Sequence, residues 1–206
     1  MLDLNLILSL SQACAPQVAP QTLAAIAYAE SRFDPLAIGV NRGPRPGRAA
    51  RDASDAARIA RTLLARGANL DLGVAQINSD NLDWLGLSVE AAFDPCRNLA
   101  AAGLVLRTGY RPSEGVDPQT TLRVALSRYN TGHAERGFRN GYVARVEAAA
   151  RTLGVAFPVA ASPSHRVDDA RQTPPVPPAP PAAWDVFARV STRGVVTFTP
   201  TPDPEF

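Results

Sequence analysis

From the N-terminus to about residue 155, apolar positions recur at helical rather than strand spacing. Leu4, Ile7 and Leu8 fall on one face of a first helix. A second runs from Pro20 to Glu30 with Leu23, Ile26 and Ala27 as its stripe. A third carries Ala56, Ile59, Ala60, Leu63 and Leu64, with Asp52 or Ser54 as its cap and Gly67 as its stop. Asp94-Pro95 and Asp117-Pro118 each place an N-cap before a proline at the first helical position. The helices they open run through Leu99, Gly103 and Leu106, and through Leu122, Ala125, Leu126 and Tyr129. A last helix starts near Gly141, carries Tyr142, Val146 and Ala149 on one side, and stops at Gly154. Strand-like alternation is nearly absent, and residues 69–78 have room for at most a short extended turn. The pattern predicts a mostly α domain over residues 1–156.

The pattern ends at Phe157. Residues 157–206 hold 11 of the 19 prolines, including the tract from Pro174 to Pro181. Such a tract favours extended polyproline II and cannot join a packed core. A largely disordered, proline-rich C-terminal tail is expected there. Inside it, residues 183–198 form an apolar island from Trp184 to Phe198. The island either folds back on the domain or docks on a partner.

Composition narrows the function. The formal net charge is +2, and all 21 basic residues are arginine, scattered through helices and loops. No basic stripe with interleaved aromatics appears, so nucleic acid is not the expected partner. No apolar run reaches the length of a membrane span. The apolar start of the chain lacks a basic residue and is interrupted by Asp3 and Asn5, so no standard export signal is evident. His133 and His165 stand at no ligand spacing to Cys14 or Cys96, and neither metal nor cofactor is expected. The two cysteines are either buried thiols or one disulfide.

Glu30 breaks the pattern in an informative way. Leu23, Ile26, Ala27 and Glu30 are spaced i, i+3, i+4 and i+7, so the carboxylate shares the apolar stripe. Burial and the negative helix terminus both raise a carboxyl pKa. A carboxyl kept protonated near neutrality can donate to a leaving oxygen. The plain alternative is a side chain that bends to solvent or pairs with Arg32.

Four local patterns follow in order. They are Glu30-Ser31-Arg32-Phe33-Asp34-Pro35, Leu72-Gly73-Val74-Ala75-Gln76-Ile77-Asn78, Arg128-Tyr129-Asn130-Thr131-Gly132 and Tyr142-Val143-Ala144-Arg145-Val146. An acid, side-chain amides and tyrosines at element ends form an inventory suited to a neutral, hydroxyl- and amide-rich glycan such as peptidoglycan. In this order the motifs resemble the soluble lytic transglycosylase family, with its lysozyme-like (goose-type) helical fold. The two cysteines, the long segment between the first two motifs and Asp71-Leu72-Gly73 are similar to the branch that serves type IV secretion and conjugation systems. The resemblance covers roughly residues 10–155.

That resemblance implies roles. Glu30 matches the sole catalytic acid/base. Ser31, Gln76, Asn78, Tyr129, Asn130 and Tyr142 match residues that bind substrate or stand beside the glutamate. It also favours a Cys14–Cys96 disulfide and a periplasmic location. Ala75 departs from the pattern, since methionine is common there as packing and groove wall. The implied reaction is cleavage of the MurNAc-β-1,4-GlcNAc bond with formation of 1,6-anhydroMurNAc. Glu30 protonates the leaving oxygen and then serves as base toward the C6 hydroxyl. Secretion-apparatus components, met through the tail, are the implied protein partners. Asp34, before a proline, reads as a turn residue. Asp71 keeps open a lysozyme-type muramidase, of bacterial or phage origin, that uses two carboxylates. A non-catalytic assembly factor is the reading outside enzymes.

Overall fold

Four helices begin at an aspartate whose carboxylate accepts the backbone N–H three residues on. The donors are Leu6 to Asp3, Asp55 to Asp52, Arg97 to Asp94 and Thr120 to Asp117, at 2.8–2.9 Å. In the computed structural model, which describes residues 1–155, these caps open α1 (Leu4–Cys14), α3 (Ala53–Leu64), α4 (Pro95–Gly109) and α5 (Pro118–Thr131). Proline at the first position starts α2 (Pro20–Ser31), and α6 (Arg136–Arg139) and α7 (Tyr142–Thr152) complete the helices. The domain is mostly helical, as the periodicity predicts. The tail and its 183–198 island lie outside the described residues.

α2 is the central helix. Leu23, Ala24, Ala25, Ile26 and Ala27 are all fully buried, and α1 and α7 pack against it. Its small residues let neighbouring helices approach closely. Ile7 is the buried anchor of α1, with Leu4 and Leu8 partly covered beside it. α7 contributes Tyr142, Val143, Val146 and Ala150 to the same core. Cys14, at the end of α1, is bonded to Cys96, at the start of α4, across 82 residues with a Cα–Cα distance of 5.5 Å.

The segment expected to hold only an extended turn forms part of a small sheet instead. β1 (Ile38–Arg42), β2 (Asn69–Leu72) and β3 (Ile77–Asn78) are antiparallel neighbours in that order. Alternation in β2 spans four residues, with Leu70 and Leu72 buried, too short to stand out. β1 contains Gly39 and Asn41, both poor strand formers. The register pairs Ile38 with Leu72, Gly39 with Asp71 and Val40 with Leu70, then slips before Arg42 pairs with Asn69. This irregularity falls at Asn41 and re-aims its side chain, as bulges near functional sites do.

The loop from β1 to α3 is fastened by one buried carboxylate. Asp55 binds Arg48 at 2.6 and 2.8 Å, the Arg51 backbone and side chain at 3.2 Å, and Arg58. Arg48 foremost holds this carboxyl well below the usual range.

Candidate active site

Glu30 lies in the last turn of α2, where the chain leaves the helix through two left-handed residues, Arg32 (φ 57°) and Phe33 (φ 68°). The Phe33 ring packs edge-on to Tyr28 at 5.3 Å between centroids, and the Arg32 guanidinium lies 4.4 Å above Tyr28. Arg32 is thus occupied away from Glu30, and no hydrogen bond or ion pair joins the two among the described residues.

The Glu30 carboxyl is partly buried and receives the Tyr142 hydroxyl at 2.7 Å. Loss of water raises its pKa from 4.5 to about 7. The Tyr142 hydrogen bond and the Arg145 charge pull it down, and the Asp71 charge pushes it further up. Tyr142 and Tyr129 are both held well above 10, first by burial and then by the charge of Glu30. Both therefore remain neutral hydroxyl donors. Their rings stack 6.4 Å apart and 12° from parallel, and Arg145 covers the Tyr142 ring at 5.4 Å.

The second motif is a tight turn between β2 and β3. Gly73 (φ 75°) is required there, because a Cβ would lie 2.2 Å from Ala92 O and 2.4 Å from Asn98 Nδ2. Asn98, fully buried on α4, holds the turn from below. It donates to Leu72 O at 2.9 Å and Ala92 O at 2.7 Å and accepts from Ala75 N at 2.8 Å. From above, the Tyr129 hydroxyl donates to Ala75 O at 2.8 Å and Ser31 Oγ donates to Val74 O at 2.6 Å. The turn thereby links the ends of α2, α4 and α5. The Ala75 side chain is fully buried, so it belongs to the core and not to the groove wall expected of this position.

The groove itself has a volume of about 740 Å³. Glu30 and Gln76 line it beside a sheet wall of Asn41, Asn69, Asp71 and Asn78 and the indole of Trp84. The helical wall comes from the ends of α4 and α5, through Thr108, Arg128, Tyr129 and Asn130. Of the residues singled out in the sequence, Glu30, Gln76, Asn78, Tyr129 and Asn130 meet in this groove. Ser31 turns inward to the second motif and also accepts from Asp34 N at 3.1 Å. Tyr142 reaches Glu30 from within the core. Gln76 is left-handed (φ 52°), and its Nε2 donates to Gly73 O at 2.9 Å and Ala37 O at 3.2 Å, which leaves Oε1 for a ligand. The Asn130 Oδ1 accepts from Asn140 at 2.9 Å.

Several members of the site were not anticipated. Asn98 sits on an apolar stripe with Leu99, Ala102 and Leu106, the same signal that exposed Glu30. Asn41 and Asn69 gave no signal, since their position depends on the sheet. Trp84 is half exposed at the groove, its Nε1 donating to Asn81 at 3.0 Å. Among the described residues no cluster of His, Cys, Asp or Glu could hold a metal ion, and no helix is long and apolar enough to cross a membrane.

A helical domain with a partly buried acid raised toward neutrality, beside a polar groove, agrees with the comparison to known families. The chain belongs to the transglycosylase SLT domain family, whose profile matches residues 8–151. Among curated relatives, it is 40% identical over 181 residues to Protein virB1 of Agrobacterium tumefaciens (strain 15955), covering 87% of this chain and 71% of that one. It is 42% identical over 151 residues to the type IV secretion system protein virB1 of Brucella abortus (strain 2308), covering 69% of this chain and 63% of that one. The name of the second relative agrees with the branch to which the two cysteines, the long segment between the first two motifs and Asp71-Leu72-Gly73 point. No solved structure matches the chain significantly.

Proposed function

We propose that this protein is a peptidoglycan lytic transglycosylase that opens the wall locally for a type IV secretion or conjugation apparatus. The observation that carries the reading is Glu30, an acid raised to about 7 by burial and bonded to a neutral tyrosine at the edge of a polar groove. Such a group is protonated in the folded protein at mildly acidic to neutral pH. It donates its proton to the GlcNAc O4 as the bond to MurNAc C1 breaks. The carboxylate left behind keeps the Tyr142 hydrogen bond, which stabilises it until it takes the proton of the C6 hydroxyl. Attack of that oxygen on C1 closes the 1,6-anhydro ring and returns the proton to Glu30, with no water consumed.

Gln76 and Asn130 present amide groups, and Tyr129 an aromatic edge, along the glycan, while the Asn78 amide is spent on Asp71, Asn69 and Asp80 and shapes the wall. The site of action is periplasmic, and the partner apparatus is met through the tail beyond residue 157. Incubation of the protein with purified sacculi tests the reaction. The expected products end in 1,6-anhydroMurNAc, and Glu30→Gln gives none. Reducing ends alone would identify a muramidase, the second reading, favoured only by Asp71 in the same groove. No cleavage by the wild-type chain would leave the assembly-factor reading. A chain ending at residue 157 should digest sacculi as well as the full chain and support transfer less well.

A further inference from the structure

Asp71 occupies the middle strand of the sheet, opposite Gly39 on β1 and Asn78 on β3, and lines the groove that Glu30 lines. Each of its oxygens is already taken by an amide donor. Asn78 Nδ2 reaches Oδ1 at 2.7 Å and Asn41 Nδ2 reaches Oδ2 at 2.8 Å. The donors are themselves tied together by Asn69. Its Oδ1 accepts from Asn41 at 3.0 Å and from Asn78 at 2.9 Å, and its Nδ2 returns a bond to Asn78 at 3.0 Å. Gly39 leaves the space for this packing, since a Cβ there would lie 2.6 Å from Gln76 Oε1 and 3.3 Å from Asp71 Cβ. Three asparagines and a glycine from three strands thus fix one carboxylate in one orientation.

A carboxylate accepts only, and two N–H donors suit that role. Held this way, it is poorly free to swing toward a sugar carbon or to take up a water proton. Its charge nevertheless acts across the groove on the Glu30 carboxyl, which is itself partly removed from water. We propose that Asp71 is a positioning residue for the cleavage reaction: a fixed negative charge on the sheet wall of the groove that keeps Glu30 in its proton-donating form until the glycan is bound. The proposal rests on the lytic transglycosylase reading. Glu30 is faced by Tyr142 and Arg145 from α7, Tyr129 from α5 and Asp71 from β2. Of the charged groups acting on it, Arg145 favours the anion and Asp71 the neutral acid.

The test is the pH profile of kcat/KM on purified sacculi for the full chain and for Asp71→Asn. In the wild type the alkaline limb reports loss of the Glu30 proton. Without the Asp71 charge this limb should move to lower pH by about one unit, the size expected of one charge across a groove. Rates on the acidic plateau should fall by less than about tenfold, and the product ends should remain 1,6-anhydro. Asp71→Glu, which keeps the charge, should return the limb toward its wild-type position. If Asp71→Asn does not fold, Asp71→Ser reads the same limb. An unmoved limb in either folded variant overturns the proposal. Loss of activity at every pH also overturns it, making Asp71 a direct participant. Hydrolytic products from the wild-type chain would instead overturn the underlying reading, and that result is visible before any variant is made.

Discussion

Replacing Glu30 with glutamine should make the protein inactive and more stable, with a gain that depends on pH. The carboxyl is raised from 4.5 to about 7, with loss of water as the leading cause. Between those values the folded protein holds a proton that the unfolded chain has released. The folded state therefore loses stability as pH rises from about 4.5, and the loss is complete above about 7. At about 1.36 kcal/mol per pH unit, the full cost approaches about 3 kcal/mol. Groove water reduces it, so about 2–3 kcal/mol is expected at pH 8 and close to zero at pH 4. Glutamine has the shape of the protonated acid and can still accept the Tyr142 hydroxyl, so it keeps the packing and lacks the charge. Urea unfolding with the disulfide intact, at both pH values and for both proteins, reads the difference. An equal gain at the two pH values would assign the effect to shape. No gain at pH 8 would show that Glu30 is not held neutral and would remove the basis of the mechanism.

Tyr142→Phe deletes the hydrogen bond that favours the Glu30 anion, worth about 1.5–3 kcal/mol for a charged acceptor. Cleavage should fall roughly 10- to 100-fold, and its alkaline limb should move to higher pH, as read from kcat/KM on sacculi. Asn98→Ala strands Ala75 N, Leu72 O and Ala92 O in the core and should cost about 3–5 kcal/mol in denaturant unfolding, with activity lost even in the protein that remains folded. Reduction of the Cys14–Cys96 bond should remove about 2–4 kcal/mol of stability, read as a lower Tm, while cleavage well below that temperature is retained.

The parts of this fold that are legible in the sequence are those set by local chemistry. An aspartate before an apolar run caps a helix whatever surrounds it, and Asp52, Asp94 and Asp117 do so here. Glu30 stands out because a carboxylate on an apolar stripe contradicts its neighbours. Asn98 contradicts its neighbours in the same way and went unread, because an amide suggests no reaction. The sheet is hidden for a different reason. β2 and β3 are four and two residues long, and their side-chain order follows from pairing with β1 across the whole of α3. The convergence of Asn41, Asn69 and Asn78 on Asp71 depends on that register and on the slip at Asn41, neither of which has a local signature.

The bond between Cys14 and Cys96 divides the groove into two kinds of territory. Everything from α2 to the start of α4 lies within a closed covalent ring, and that ring carries Glu30, Asp71, Gln76 and Asn78. The partner wall, with Thr108, Tyr129 and Asn130, follows outside it, as does Tyr142 in the core behind Glu30. The stretch around residues 45–52, most of it exposed, can therefore be cut without releasing a fragment. A protease in the envelope that nicks this loop leaves one molecule, with acid and tyrosine still held together by α2 and α7. The same nick in a reducing compartment leaves two chains with no covalent link, so that only packing holds the acid to the part of the molecule that bears its hydroxyl partner. Oxidation thus makes the site tolerant of a broken backbone in the compartment where it would work.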